Sequence, residues 1–298
     1  MKWNPFNTSV GLALGGGAAK GIAHIGVLKA FEEEQVEISC LAGTSIGALV
    51  AGYYAFGKTS DELLAVGEQL SFKRMTSFSW LKKGGFFTTD AIRDMIIEDL
   101  GDVNIEDAII PLAICTTDIV TGDQVIFEKG SLADAICASV AVPGLFSPVD
   151  IDGRQLVDGG LVENVPVSLV EELGAGIIIG VDLNGVKHYP EPNGMIDVLG
   201  NAIDICMDLK TRDQLKRADI VVSLDLNGYS RSDNSDQIDA LVMEGYRPMK
   251  AKIRKLLWFK RANMLRYVIK VVKAIIPLKI PELIKRKVKE TLPTIKVK

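Results

Sequence analysis

Histidine is nearly absent from this chain: 298 residues hold two, His24 and His188. A zinc site draws mainly on His and Cys, so it has little to work with here. Chemistry that needs an imidazole base has two candidates at most. Cysteine is scarce as well. Cys40, Cys115, Cys137 and Cys206 form no C-x-x-C pair, and each sits in an apolar stretch. Buried reduced thiols in a cytosolic protein are the expected state, rather than a disulfide framework. No stretch approaches 18 uninterrupted apolar residues, so a transmembrane helix is not expected. The N-terminus does not read as a secretory signal, because one early Lys is followed by Asn4 and Pro5 and the apolar run from Val10 dissolves into glycines.

Apolar residues make up 48% of the chain and charged residues 24%, enough for a sizeable core. The length fits one large α/β domain. A net charge of -4 hides an asymmetry. From Met249 onward the chain carries 16 of the 34 Lys/Arg and only 2 of the 38 Asp/Glu. Charge alone therefore predicts an acidic body, residues 1–248, and a basic helical extension, residues 249–298. Within Asn263 to Ile276, Arg266, Lys270 and Lys273 share one narrow helical face of an otherwise apolar segment. Too short and too charged to span a bilayer, such a helix suits the interface of an anionic leaflet. The bland alternative is a helix packed on the acidic body. Pro277 and Pro281 then precede a basic end, Lys285 to Lys289. Nucleic acid is a weaker match, because the tail is rich in apolar residues.

Periodicity gives the framework. Val10 to Leu14 reads as a buried strand that runs into Gly15, Gly16 and Gly17. A helical pattern through Ile22 to Phe31 follows. A second strand, near Ile38 to Ala42, runs into Gly43-Thr44-Ser45-Ile46-Gly47 and then an apolar helix to Phe56. Strand, glycine turn and helix thus occur twice in sixty residues, which argues for a parallel sheet covered by helices. Further strands are expected near Ile109 to Thr116, Val125 to Glu128, Gln155 to Val157, Ile177 to Asp182 and Ile220 to Leu224. Helices are expected near Asp61 to Leu70, Thr89 to Leu100, Leu132 to Ser139, Val167 to Leu173, Val198 to Arg217 and Ser235 to Leu257.

Two glycine turns carry chemistry. Gly43-Thr44-Ser45-Ile46-Gly47 fits G-x-S-x-G, in which a serine on a sharp strand-to-helix turn is lifted toward substrate. The plain alternative is a tight turn with Ser45 capping a helix. Gly15 to Gly21 leaves backbone N–H groups uncovered, which suits an oxyanion or a phosphate. The Walker pattern fails because Lys20 precedes Gly21 and no Ser or Thr follows; G-x-G-x-x-G fails because Lys20 takes the last glycine's place. A base for Ser45 is harder to find. His24 lies on an apolar helical stretch and reads as a packed structural residue, and His188 lies in a loop beyond a strand. Asp158, at a glycine turn after an apolar strand, is the best-placed carboxylate. An ordinary Asx turn is the competing reading.

Taken in order, Gly15 to Gly21, His24 to Leu28, Gly43 to Gly47, Ala138 to Phe146 and Asp158-Gly159-Gly160 resemble the patatin-like phospholipase family. The likeness includes the bacterial proteins related to the neuropathy target esterase catalytic domain and covers roughly Val10 to Asp225. The resemblance implies a three-layer α/β/α fold with a mainly parallel central sheet. It implies Ser45 as nucleophile, Asp158 as general base, and amides near Gly16, Gly17 and Ala18 as the oxyanion hole. The family often has a fourth glycine where Ala18 stands and Arg where Lys20 stands. Lys20 keeps the charge but not the bidentate fork.

The expectation is then hydrolysis of acyl esters in phospholipids or lysophospholipids, with no metal and no cofactor. The expected setting is cytoplasmic, peripherally bound to the inner face of a membrane through the basic segment; the oligomeric state is left open, a homo-oligomer included. Ser71 to Phe87, with five aromatics and four cations, reads equally as a lid or as a plain surface connection. A nucleotide-binding protein and a catalytically silent membrane scaffold are the competing classes.

Overall fold

The computed structural model describes residues 8–69, 77–78, 87–186, 189, 191–231, 234 and 236–275. His188, residues 276–298 and most of Ser71 to Phe87 lie outside them. The elements run β1 (Val10–Leu14), α1 (Ala23–Glu33), β2 (Cys40–Thr44), α2 (Ile46–Ala55), α3 (Ser60–Gln69), β3 (Ser77–Phe78), β4 (Phe87–Thr88) and α4 (Asp90–Leu100). Then come β5 (Leu112–Asp118), β6 (Gln124–Phe127), α5 (Leu132–Ser139), β7 (Val149–Ile151), β8 (Arg154–Asp158), α6 (Val167–Glu172), β9 (Ile177–Asp182), α7 (Met195–Gln214), β10 (Ile220–Ser223) and α8 (Ile238–Ile275). Short 3-10 turns cover Ala18–Ile22 and Gly159–Leu161.

One sheet of eight strands organises the molecule, in the order β10-β9-β1-β2-β5-β8-β7, with β6 also pairing with β5. Strands β10, β9, β1, β2 and β5 are mutually parallel, while β6, β7 and β8 pair antiparallel. The sheet is therefore mostly parallel with an antiparallel side. Strands β1, β2, β5 and β9 are buried at every residue, as expected for parallel strands covered on both faces. Leu12, Leu14, Leu41, Ile114 and Ile179 point into the main core beneath α1, α2 and α8. Ala13, Ala42, Ala113 and Cys115 face a second cluster with Val167, Leu169 and Val170 of α6. The result is helix, sheet, helix.

The chain leaves β1 toward β2, and β9 returns on the other side of β1. Loops that part at such a point open a crevice at the carboxyl ends of the strands. Both glycine turns expected from the sequence lie there.

Helix α8 shows how the tail joins the body. Met249, Ile253 and Leu256 are buried in the main core, each contributing roughly 1.5–3 kcal/mol by removal from water. Gly26 of α1 faces this helix so closely that a Cβ would stand 1.8 Å from the Val242 carbonyl oxygen, and a Cβ on Gly245 would stand 1.8 Å from that of Ala23. Lys250 pairs with Glu33 at 2.9 Å and Glu34 at 2.8 Å. The charge boundary at residues 248 and 249 thus falls inside a continuous packed helix that contains Pro248. Farther along, Met264, Leu265 and Val268 are exposed. Among the described residues no helix is long and apolar enough to cross a membrane. Cys40, Cys115 and Cys137 are buried free thiols, but Cys206 is exposed on α7, contrary to the expectation for all four.

Candidate active site

The turn after β2 places Ser45 at φ 56°, ψ −128°, a left-handed conformation rare for a residue with a side chain. Small neighbours allow it. A Cβ on Gly47 would stand 2.1 Å from the Leu14 carbonyl oxygen, so only glycine fits where this turn crosses the end of β1. Thr44 fastens the turn from the other side by donating its hydroxyl to the Glu163 carbonyl at 2.8 Å. Ser45 is 7% exposed.

Asp158 arrives from the antiparallel side of the sheet. It ends β8, its N–H donates to the Ala141 carbonyl at 3.0 Å, and its carbonyl accepts from the Thr117 hydroxyl at 2.9 Å. One carboxylate oxygen, Oδ1, accepts the Gly160 N–H at 2.8 Å. The Ser45 side chain lines the same cavity and lies near enough to influence the carboxylate. Burial is the largest influence on its acidity and pushes its pKa up to about 6. The Gly160 hydrogen bond and the nearby Ser45 hydroxyl pull the other way, and the Asp204 charge adds a further push upward. A carboxylate with that affinity is ionised at neutral pH and still able to take a proton.

The three loop amides expected at an oxyanion divide. The Gly16 N–H is turned into Asn164, whose side-chain oxygen and carbonyl both lie 3.2 Å away. The N–H groups of Gly17 and Ala18 meet no acceptor among the described residues, and both residues line the same cavity as Ser45 and Asp158. Ala18 sits at φ 52°, a conformation that glycine adopts without strain. A fourth donor was not read from the sequence. Ile46 opens α2, so its N–H has no partner within the helix, and it lines the same cavity. Its place directly after the elbow serine was the available signal.

That cavity holds about 470 Å³, within the usual range for small-molecule sites. Ile92, Val142, Phe146, Leu161, Ile203 and Met207 make much of its wall apolar. Phe87 adds a ring tilted against Phe146, with centroids 6.3 Å apart. Its polar part holds Lys20, Arg231 and Asp204. Arg231 pairs with Asp204 and donates to the Asn201 side chain at 3.1 Å. Burial and then the nearby Arg231 charge hold the Lys20 ammonium below its ordinary pKa, against the pull of Asp204, Asp208 and Asp225.

His24 lies apart from this chemistry. It is fully buried, and its Nε2 donates to the Gly15 carbonyl at 2.8 Å, which leaves Nδ1 as a buried acceptor with no partner among the described residues. Burial lowers its pKa to about 4, against the pull of the Gly15 bond. It is a neutral brace for the glycine loop.

Comparison with known proteins agrees with the fold. The chain is 37% identical over 190 residues to an uncharacterized NTE family protein of Mycobacterium tuberculosis, covering 62% of this chain and 52% of that protein. It is 34% identical over 198 residues to Lysophospholipase NTE1 of Coccidioides immitis, covering 64% of this chain and 12% of that protein. The chain thus spans about half the length of the mycobacterial relative and far less of the fungal one. Among solved structures, full-length ExoU of Pseudomonas aeruginosa in complex with SpcU superposes with a TM-score of 0.52 at 14% identity, over 84% of this chain and 53% of the matched chain. That likeness is one of fold alone. The family model for patatin-like phospholipases matches residues 12–170, more than half of the chain, and the chain belongs to the patatin-like phospholipase family.

Proposed function

We propose that this chain is a serine lipid acyl hydrolase, acting on phospholipids or lysophospholipids through a Ser45–Asp158 dyad. The observation that carries this reading is that Ser45, in its left-handed turn, and the buried Asp158 carboxylate line one cavity together with Gly17, Ala18 and Ile46, whose backbone amides meet no acceptor among the described residues. Asp158 takes the Ser45 proton as Oγ attacks the ester carbonyl. The Gly17, Ala18 and Ile46 amides receive the oxyanion, where each donor contributes roughly 3 kcal/mol to lowering the barrier. The alcohol leaves with the proton from Asp158. Water, deprotonated by Asp158, then attacks the acyl-enzyme and releases the fatty acid and free Ser45. The apolar wall suits an acyl chain, and Lys20 and Arg231 suit the anionic part of a head group.

The test is lipid mass spectrometry after incubation with phospholipid and lysophospholipid. Wild type releases fatty acid and Ser45→Ala does not. Equal release by both proteins excludes the assignment.

We also propose that the basic segment from Met249 onward holds the protein on the inner face of an anionic membrane. Its 16 Lys/Arg against 2 Glu and the exposed Met264, Leu265 and Val268 support this reading. Changing Lys285, Arg286, Lys287 and Lys289 to Glu should abolish co-sedimentation with anionic vesicles; undiminished binding rejects it.

A further inference from the structure

Ser45 holds a backbone conformation that survives only where its surroundings over-determine it. The parallel ladder between β2 and β5 explains how. The Leu41 N–H donates to the Pro111 carbonyl at 2.9 Å, and the register runs on to Thr44 opposite Cys115. Ladder bonds on one strand recur every second residue. Four residues beyond Leu41, the next such donor in the series after Gly43 is the Ser45 N–H, and its matching acceptor is the Cys115 carbonyl. That bond is not made directly. The Ser139 hydroxyl is spliced into it: Ser45 N–H donates to Ser139 Oγ at 2.8 Å, and Ser139 Oγ donates to the Cys115 carbonyl at 2.7 Å.

Ser139 ends α5 and is fully buried. Both of its roles are forced, because an amide can only donate and a carbonyl can only accept. Its proton is therefore fixed, and the spliced oxygen moves Ser45 away from β5 by the width of one hydroxyl. A direct ladder bond would draw the residue back toward the strand path and away from its positive φ.

We infer that Ser139 is a positioning residue for Ser45: its hydroxyl, inserted in the last β2–β5 ladder bond, sets the height and angle of the nucleophile. The inference rests on Ser45 being the nucleophile. Ser139 lies outside the residues lining the cavity, so it acts through Ser45 and not on substrate.

The experiment compares wild type, Ser45→Ala, Ser139→Ala, Ser139→Cys and Ser139→Thr on a nitrophenyl butyrate ester, with rates expressed per site titrated by a fluorophosphonate. Misplacement of a reacting group by about 1 Å costs on the order of a hundredfold, so kcat of Ser139→Ala should fall by roughly 10- to 100-fold, with KM changed by less than about twofold. Thr keeps the hydroxyl and should recover most of the lost kcat. Cys, a near-isostere whose sulfur is a weak acceptor, should fall between Ser and Ala, and it carries the test if the Ala variant does not fold. The acid limb of kcat/KM should stay near about 6, where Asp158 titrates, in every Ser139 variant with measurable activity. A purely structural role would lower the number of titrated sites and leave the rate per site unchanged. Wild-type kcat per site in Ser139→Ala, or in Ser139→Cys where Ala does not fold, overturns the inference while leaving Ser45 as nucleophile. So does a Thr variant no better than Ala. Activity retained in Ser45→Ala overturns both readings together.

Discussion

Replacing Asp158 with Asn should kill the enzyme and make the protein more stable at neutral pH. In the fold, burial raises the Asp158 pKa from an ordinary 3.8 to about 6. The folded state therefore holds this proton more tightly than the unfolded chain does. As pH rises from about 4 to about 6, the unfolded chain releases the proton first, and stability falls across that window. Above it the full penalty applies, roughly 3 kcal/mol at about 1.4 kcal/mol per tenfold change in proton affinity. Asn does not titrate and escapes the penalty. Its side-chain oxygen can still accept the Gly160 N–H, but a neutral acceptor binds that amide less strongly than a carboxylate. The net gain expected is about 1–3 kcal/mol near pH 7.5, shrinking as the pH approaches 4. Urea denaturation of both proteins at pH 5 and pH 7.5 measures it, and the advantage of Asp158→Asn should be clearly larger at the higher pH. An Asn variant that is less stable at pH 7.5, or whose advantage does not depend on pH, would refute the account of a desolvated base.

Two further outcomes follow from the same geometry. Ester hydrolysis, measured as kcat/KM against pH, should rise through about 6 as Asp158 loses its proton and stay level toward pH 8; because the His24 pKa is lowered to about 4, replacing His24 with Gln should leave that limb in place. Gly47→Ala would put a methyl group 2.1 Å from the Leu14 carbonyl oxygen, so a loss of several kcal/mol in chemical denaturation is expected, on the scale of other severe core clashes.

Most of the framework was legible because parallel βα units write themselves plainly. Val10–Leu14, Ile177–Asp182 and Leu132–Ser139 have the bounds that periodicity predicted, since apolar runs between glycine or polar stops leave little choice of register. Strand β7 and the β3–β4 pair went unread. Val149–Ile151 is three residues long, and the two-residue strands Ser77–Phe78 and Phe87–Thr88 are shorter still, too short for any alternation to show. The charge boundary at Pro248 does not coincide with the end of a helix, for a physical reason. Net charge reports the solvent face of a helix, whereas Met249, Ile253 and Leu256 on the other face belong to the core.

At the site, the local sequence offered Ser45 and Asp158, 113 positions apart, as candidates because each sits where a strand meets a glycine turn, and the family resemblance implied their pairing. It could not tell which loop amides would be free. The Gly16 N–H looked as uncovered as its neighbours, and only folding brings Asn164 across to accept it. Ser139 was hidden in the same way. Nothing local marks a serine at the end of α5 as the partner of a backbone amide 94 positions away.

The most direct measurement is the rate at which a fluorophosphonate labels the protein, with the modified residue located by peptide mass spectrometry. One label on Ser45 is predicted, formed rapidly in wild type and at least about a hundredfold more slowly in Asp158→Asn, as expected when a nucleophile loses its base. Labelling elsewhere, or equal rates in the two proteins, would contradict a Ser45–Asp158 dyad.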